Sequence, residues 1–367
     1  MRLLLYMICG LSLIGCNKSN REDVIVKVNN RLSVDLSVRD ALLTRTSLNS
    51  SEGIQHVEEA HLYLFDGLDE SARCIASESV DWTQSVGGSV SQLHTLKVEL
   101  ELGKSYRLLA IGLDDESGKT YGLPESINLN TTLSEAKASL QAGLNATNIA
   151  VSELFVGSSE ITITAGYNYS RVELNRRVAG VMAYLKNIPF AVDGKTVTRV
   201  QVVLHTDQNR SVSLINSANT EFGDSPLLGS SVLMSLDMSS YSKSIEGNFY
   251  AFPAVTTGPV QKVENSLLKG VYLLPITGST DKSRHTLRVQ LLDANSNVLS
   301  TYPIVSRVSD EPLNNYSLKS NHFYGLGIKK LSNSTLGDTP LDLLKEQVLE
   351  IIVNPNWENA YDIGLVK

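Results

Sequence analysis

The chain has 367 residues, enough for about two domains each burying its own core, and 42% of them are hydrophobic, as in an ordinary globular protein. Its formal charge is −7 with no block of lysine and arginine, which speaks against nucleic acid as a partner. The sequence has no His-Glu-x-x-His, no Gly-x-Ser-x-Gly and no phosphate-cradling glycine loop followed by lysine, and its six histidines are scattered singly. Neither an enzyme, nor a metal centre, nor a cofactor is expected.

The chain opens with Arg2 and an apolar run from Leu3 to Ile14, interrupted only by Gly10 and Ser12. That is the layout of a secretory signal, and the run is too short to span a bilayer. Leu13-Ile14-Gly15-Cys16 reads as a lipobox. Residues 1–15 are therefore expected to be a lipoprotein signal peptide and Cys16 the acylated first residue of the mature chain, carrying enough acyl chains to hold a membrane. Loss of Arg2 takes the charge from −7 to −8. Of three cysteines, Cys9 lies in the signal and Cys16 would be lipidated. Cys74 then stands alone, no intramolecular disulfide is possible, and it is expected to be a small buried hydrophobe.

Beyond the signal the pattern is one of short period-two runs punctuated by Gly, Asn, Asp and Ser, an all-β signature. Strands are expected at 32–38, 61–65, 96–102, 106–113, 161–164, 177–185, 200–205, 270–274, 286–292, 323–329 and 348–353, sufficient for two sandwiches. One short surface helix is expected over 132–142, entered through Thr132-Leu133-Ser134-Glu135. Gly166-Tyr167-Asn168-Tyr169-Ser170 separates two blocks of strands and puts a domain boundary near residue 167.

Two strands matter most for function. In the first, Leu32, Val34, Leu36 and Val38 share one face while Ser33, Asp35, Ser37 and Arg39 share the other. Burying four such side chains is worth roughly 6 to 12 kcal/mol before ordering entropy, so taking this strand away would leave a deep apolar groove. The segment that follows, Asp40 to Gly53, is polar and carries Arg45 where a trypsin-like protease could reach it. Composition alone also allows Arg45 to be a plain solvated residue. The second strand is Val348 to Val353, with Leu349, Ile351 and Val353 on one side and Asn354-Pro355-Asn356-Trp357 beyond. It could fill such a groove, or simply be the last strand of its own domain.

A lipobox, an early alternating strand, an arginine-bearing loop, Val57-Glu58-Glu59-Ala60-His61-Leu62-Tyr63-Leu64-Phe65-Asp66 and a C-terminal strand ending at Trp357 occur in this order. To these are added Leu102-Gly103-Lys104-Ser105-Tyr106, Leu174-Asn175-Arg176-Arg177-Val178-Ala179-Gly180-Val181 and Asn321-His322-Phe323-Tyr324-Gly325-Leu326. Over nearly the whole mature chain this resembles the type V fimbrillins, the FimA/FimB-like and Mfa-like pilus proteins of Bacteroidales.

The resemblance implies an all-β fold of two transthyretin-like β-sandwich domains in tandem with a C-terminal donor-strand segment. On this chain that gives a signal peptide at 1–15, a propeptide with the first strand at 16–45, sandwiches at 46–167 and 168–340, and a donor tail at 341–367. It implies export as a lipoprotein held in the outer membrane through Cys16, then assembly into an adhesive cell-surface fimbrium. An arginine-specific protease would cut at Arg45, with Arg39 the second choice, and remove the strand bearing Leu32, Val34, Leu36 and Val38. Leu349, Ile351, Val353 and Trp357 of another fimbrial subunit would replace it. The partners implied are other fimbrial subunits and a host or bacterial surface ligand. A polymerising shaft subunit is the first reading. The alternatives are a membrane-retained anchor, a tip subunit of the same family, or a glycan-binding surface lipoprotein.

Overall fold

The computed structural model describes residues 30–38, 57, 59–82, 91–113, 121–144, 149, 153–205, 208–215, 226–227, 230–257, 261–278, 281, 283–307, 312–329 and 337–354. Among the described residues helical turns are confined to Leu123–Ser126, Leu133–Glu135 and a 3-10 position at Ile149, and the protein is all-β.

A seven-stranded sheet takes β1 (Leu32–Val38), β2 (Glu59–Phe65), β3 (Cys74–Val80), β4 (Ser91–Thr95), β5 (Ser105–Leu113), β6 (Leu154–Thr162) and β7 (Asn168–Arg176), in the order β3-β2-β5-β6-β7-β1-β4. It curls until its two edge strands meet. Glu78 on β3 lies 2.9 Å from His94 Nε2 on β4, and its other carboxylate oxygen accepts the Lys97 backbone N–H at 2.8 Å. Inside the curl, Leu32, Val34 and Leu36 meet Leu62, Leu64, Leu108, Ala110, Phe155, Val172 and Leu174.

A nine-stranded sheet takes β8 (Ala179–Lys186), β9 (Arg199–Leu204), β10 (Ser231–Asp237), β11 (Ser266–Leu273), β12 (Leu287–Leu292), β13 (Val298–Ser306), β14 (Phe323–Leu326), β15 (Leu341–Asp342) and β16 (Leu349–Asn354). Its order is β10-β9-β12-β13-β16-β14-β8-β11, with β15 paired to β8. Val181, Val202, Leu204, Leu287, Val289, Ile304, Leu326 and Leu349 belong to its core.

The two sheets share a third core. Tyr63, Phe65, Leu109 and Ile111 on the outer face of the first sheet pack in one cluster with Met182, Tyr184, Leu268 and Tyr272 of the second. Strands β2, β5 and β8, expected as alternating runs, are thus buried on both faces, and apolar residues fill the second face as well. At the crossing between sheets, buried Arg177 donates to the carbonyls of Ser213 and Ile215 and to Ser320 Oγ.

Several sequence expectations meet a different outcome. Residues 96–102 form no strand: Leu96 and Leu100 are buried and Lys97 and Glu99 exposed, so the expected alternation of facing is present, but the segment joins no ladder and the chain turns at Gly103 with φ +79°. The helix expected over 132–142 stops after one turn. Thr132 and Glu135 do form the reciprocal contact expected at its start. Downstream, however, Ala136, Ala138 and Leu140 are all buried at period two, and Lys137–Ser139 pairs as a strand with Ser211–Ser213. Packing outweighs the helix signal there. Residues 168–176, which a boundary near 167 assigns to the second block, form a strand that pairs in the first sheet, and the chain changes sheets between Arg176 and Ala179. Cys74 is buried in the shared core, and that burial pushes its thiol pKa up.

Burial also raises the phenols of Tyr63 and Tyr184 from 10.0 to about 12. A raised pKa in the folded state means that stability is fully present below 10.0 and is lost as pH climbs towards about 12, because the unfolded chain releases these protons first. Alkaline titration followed together by phenolate absorbance and circular dichroism should therefore show these two tyrosines ionising with unfolding and not before it. Full ionisation with an unchanged spectrum would contradict their place in the core.

Candidate functional site

The first strand of the described chain is a wedge, paired on both sides. Strand β1 runs parallel to β7 over seven positions, Leu32 opposite Asn168 through Val38 opposite Leu174, and antiparallel to β4 from Ser33 opposite Thr95 to Ser37 opposite Ser91. Its alternation puts Leu32, Val34 and Leu36 inward at 0% exposure, with Val38 partly buried against the same core. Of the outward positions Ser33 and Ser37 are also covered, leaving Asp35 as the one among them that water reaches. Asp35 accepts a 2.9 Å hydrogen bond from the hydroxyl of Tyr169 on β7, and Arg171 lies directly across the pairing from Asp35. That hydrogen bond is the main cause of a raised Tyr169 phenol pKa, since a carboxylate acceptor favours the neutral phenol.

The last described strand occupies a corresponding position in the other sheet. Strand β16 lies between β13, parallel to it from Ile304 opposite Leu349, and β14, antiparallel to it from Phe323 opposite Asn354. Leu349 and Ile351 are buried in the core of the larger sheet and Val353 packs partly against it. Glu350 faces outward and pairs with Arg307 Nε at 3.0 Å, both half exposed, so this pair adds little stability. Each terminal strand thus has one parallel and one antiparallel neighbour. Taking out β1 would strand β4 from the rest of its sheet, and taking out β16 would divide the larger sheet between β13 and β14.

The approach to β16 is fastened by a buried ion pair. Lys329 Nζ lies 2.9 and 3.1 Å from the two carboxylate oxygens of Asp338, and the Tyr184 hydroxyl donates to the same carboxylate at 3.0 Å. The side chains of Lys329 and Asp338 are 6% and 0% exposed. Beyond them Asn187 Nδ2 donates to Asp342 at 2.7 Å. Nothing in the local sequence pattern announced this clamp.

Cys16, Arg39, Arg45 and Trp357 lie outside the described residues. Among the described residues no group of three or more His, Cys, Asp or Glu side chains converges as a metal site would require.

An all-β chain with a self-inserted strand at each end of its described region belongs to a class in which strand pairing is the conspicuous chemistry. The sequence profile of the fimbrillin-A associated anchor proteins Mfa1 and Mfa2 matches residues 24–226, more than half of the chain, and the protein belongs to that family. It is a fimbrial, adhesin-like protein. No curated protein matches it. Similar solved structures include a candidate adhesin from Bacteroides thetaiotaomicron VPI-5482, 11% identical, covering 89% of this chain and 96% of that one with a TM-score of 0.44. The tip fimbrial protein Mfa3 from Porphyromonas gingivalis with C-terminal truncation is 13% identical over 88% of this chain and 98% of that one, with a TM-score of 0.38. A fimbrial assembly protein from Parabacteroides distasonis ATCC 8503 is 13% identical over 89% and 95%, with a TM-score of 0.37.

Proposed function

We propose that this chain is a structural subunit of a cell-surface fimbria, exported as a lipoprotein acylated at Cys16 and joined to its neighbours by strand exchange. The observation that carries this reading is the seat of β1: an N-terminal strand paired on both edges, with three side chains fully buried in a slot that another alternating strand could fill. Cutting at Arg45, or failing that Arg39, would separate β1 from the rest of the chain. The strand bearing Leu349, Ile351 and Val353, with Trp357 beyond it, would then enter from another subunit. Donor and acceptor are different surfaces of the molecule, so the contact propagates as an open filament and does not close as a dimer. An uncut β1 covers the edge and holds assembly off. We divide the chain into two sandwich domains at 177–178, where it passes from one sheet to the other.

Within the fimbria the first reading is a polymerising subunit. A second, a membrane-retained anchor that keeps both β1 and its lipid, is favoured by the description of the family as anchor proteins and by the seating of β16 in its own sheet. Arg45→Ala separates them. For a polymerising subunit the shortened, lipid-free form should disappear from immunoblots of the surface fraction and filaments should be lost, whereas an anchor should keep its function and membrane fraction unchanged. A protein nicked near Arg45 in vitro should form oligomer ladders that resist mild denaturant. If it stays monomeric and binds glycans, strand exchange is the wrong reading and a glycan-binding surface lipoprotein the right one.

A further inference from the structure

Resting on strand exchange at the β1 slot, we infer that the slot reads the register of the incoming strand through Tyr169 and Arg171, and that the strand it fits is residues 347–353 of a second copy with Glu350 standing where Asp35 stands now. The two terminal strands are alike in surroundings: β1 lies between parallel β7 and antiparallel β4, and β16 between parallel β13 and antiparallel β14. A strand leaving one environment for the other keeps the same direction relative to its neighbours. What remains open is the register, and period two allows only even shifts if Leu349, Ile351 and Val353 are to point inward.

Two registers put three apolar residues into the slot. In one, Leu349, Ile351 and Val353 replace Leu32, Val34 and Leu36, which places Glu350 at the position of Ser33. That position is only 7% exposed, so a carboxylate there would be taken out of water. In the other, the same three residues replace Val34, Leu36 and Val38, and Glu350 falls on the position of Asp35. Position 35 is the outward one that water reaches, the Tyr169 hydroxyl already donates to a carboxylate there, and Arg171 faces it across the pairing. The neighbours Val348 and Ile352 then fall on the covered positions of Ser33 and Ser37, where apolar side chains are tolerated. Charge complementarity and burial both select the second register. Its weak point is the far end of the slot, where Gln347 falls on the fully buried position of Leu32.

That weak point makes the inference testable. The full chain, nicked between β1 and β2, is titrated with a synthetic peptide of residues 345–356, and release of the β1 fragment is followed by mass spectrometry. A Gln347→Leu peptide should bind at least about tenfold more tightly than the natural one, because a leucine now fills the Leu32 pocket. A Glu350→Gln peptide should bind about three- to tenfold more weakly, and this difference should shrink on the Tyr169→Phe protein, where Arg171 alone still faces the position. If the natural peptide displaces β1 but Gln347→Leu binds no better, the register is the other one and this inference is overturned while strand exchange stands. If no peptide displaces β1, strand exchange at this slot fails and the register with it.

Discussion

Replacing Asp338 with alanine should cost about 3–5 kcal/mol of stability, read as a lowered denaturant midpoint with an unchanged slope. The substitution leaves the Lys329 ammonium at 6% side-chain exposure without the carboxylate that holds it through both oxygens, and it takes away the acceptor of the Tyr184 hydroxyl as well. The size of the effect comes from a buried charge that has lost this carboxylate more than from the worth of the pair. Removing both partners together, as Lys329→Met with Asp338→Leu, should therefore restore most of the loss. If the double variant is as damaged as the single one, the ion pair is not the cause. Because the clamp closes the stretch between β14 and β15, its loss should also loosen the approach to β16, visible as faster amide exchange across 339–353 than across β9 and β12.

The second large effect is expected at β1. Val34→Asp places a carboxylate at a fully buried position and should cost at least about 3 kcal/mol, from lost apolar burial together with desolvation of the charge. Asp35→Asn, one residue along and on the other face, should change stability by no more than about 1 kcal/mol, since it only weakens the hydrogen bond from half-exposed Tyr169. Thermal melts of the two variants give the comparison. Val34→Asp should also free β1 to proteolysis while the nine-stranded sheet, which takes no residue from it, stays protected. Equal behaviour of the two variants would mean that β1 is not seated as described.

How much of this could be read from sequence follows from which faces are buried. Strand β1 is found at the expected bounds, 32–38, because it obeys strict alternation and is buried on one principal face. The runs that became β2, β5 and β8 were legible as strands, read there as alternating ones, although not the fact that their two faces belong to different cores. The polar strands Cys74–Val80 and Ser91–Thr95 were missed. They are the edges of their sheet, each with one neighbouring strand, and their side chains are largely exposed or half exposed, so they need little hydrophobic signal. Val298–Ser306 was hidden by its exposed first half and by Pro303.

For the candidate site, the identity and facing of the two terminal strands were legible, and their partners were not. That β16 runs beside β13 and β14, and that Lys329 reaches Asp338, depends on pairings between distant segments and on burial that no local period encodes. The contact of Tyr169 with Asp35 spans 134 positions of sequence and had no signal at all.

The seven registered positions between β1 and β7 have a mechanical meaning. Traction along the axis of a strand seated there loads its whole ladder in shear, so the rungs must fail together. Lifting the same strand by one freed end opens them one after another, each at small cost. A single slot can therefore hold fast under a pull along the molecule and still give up its occupant once the chain beside it is cut.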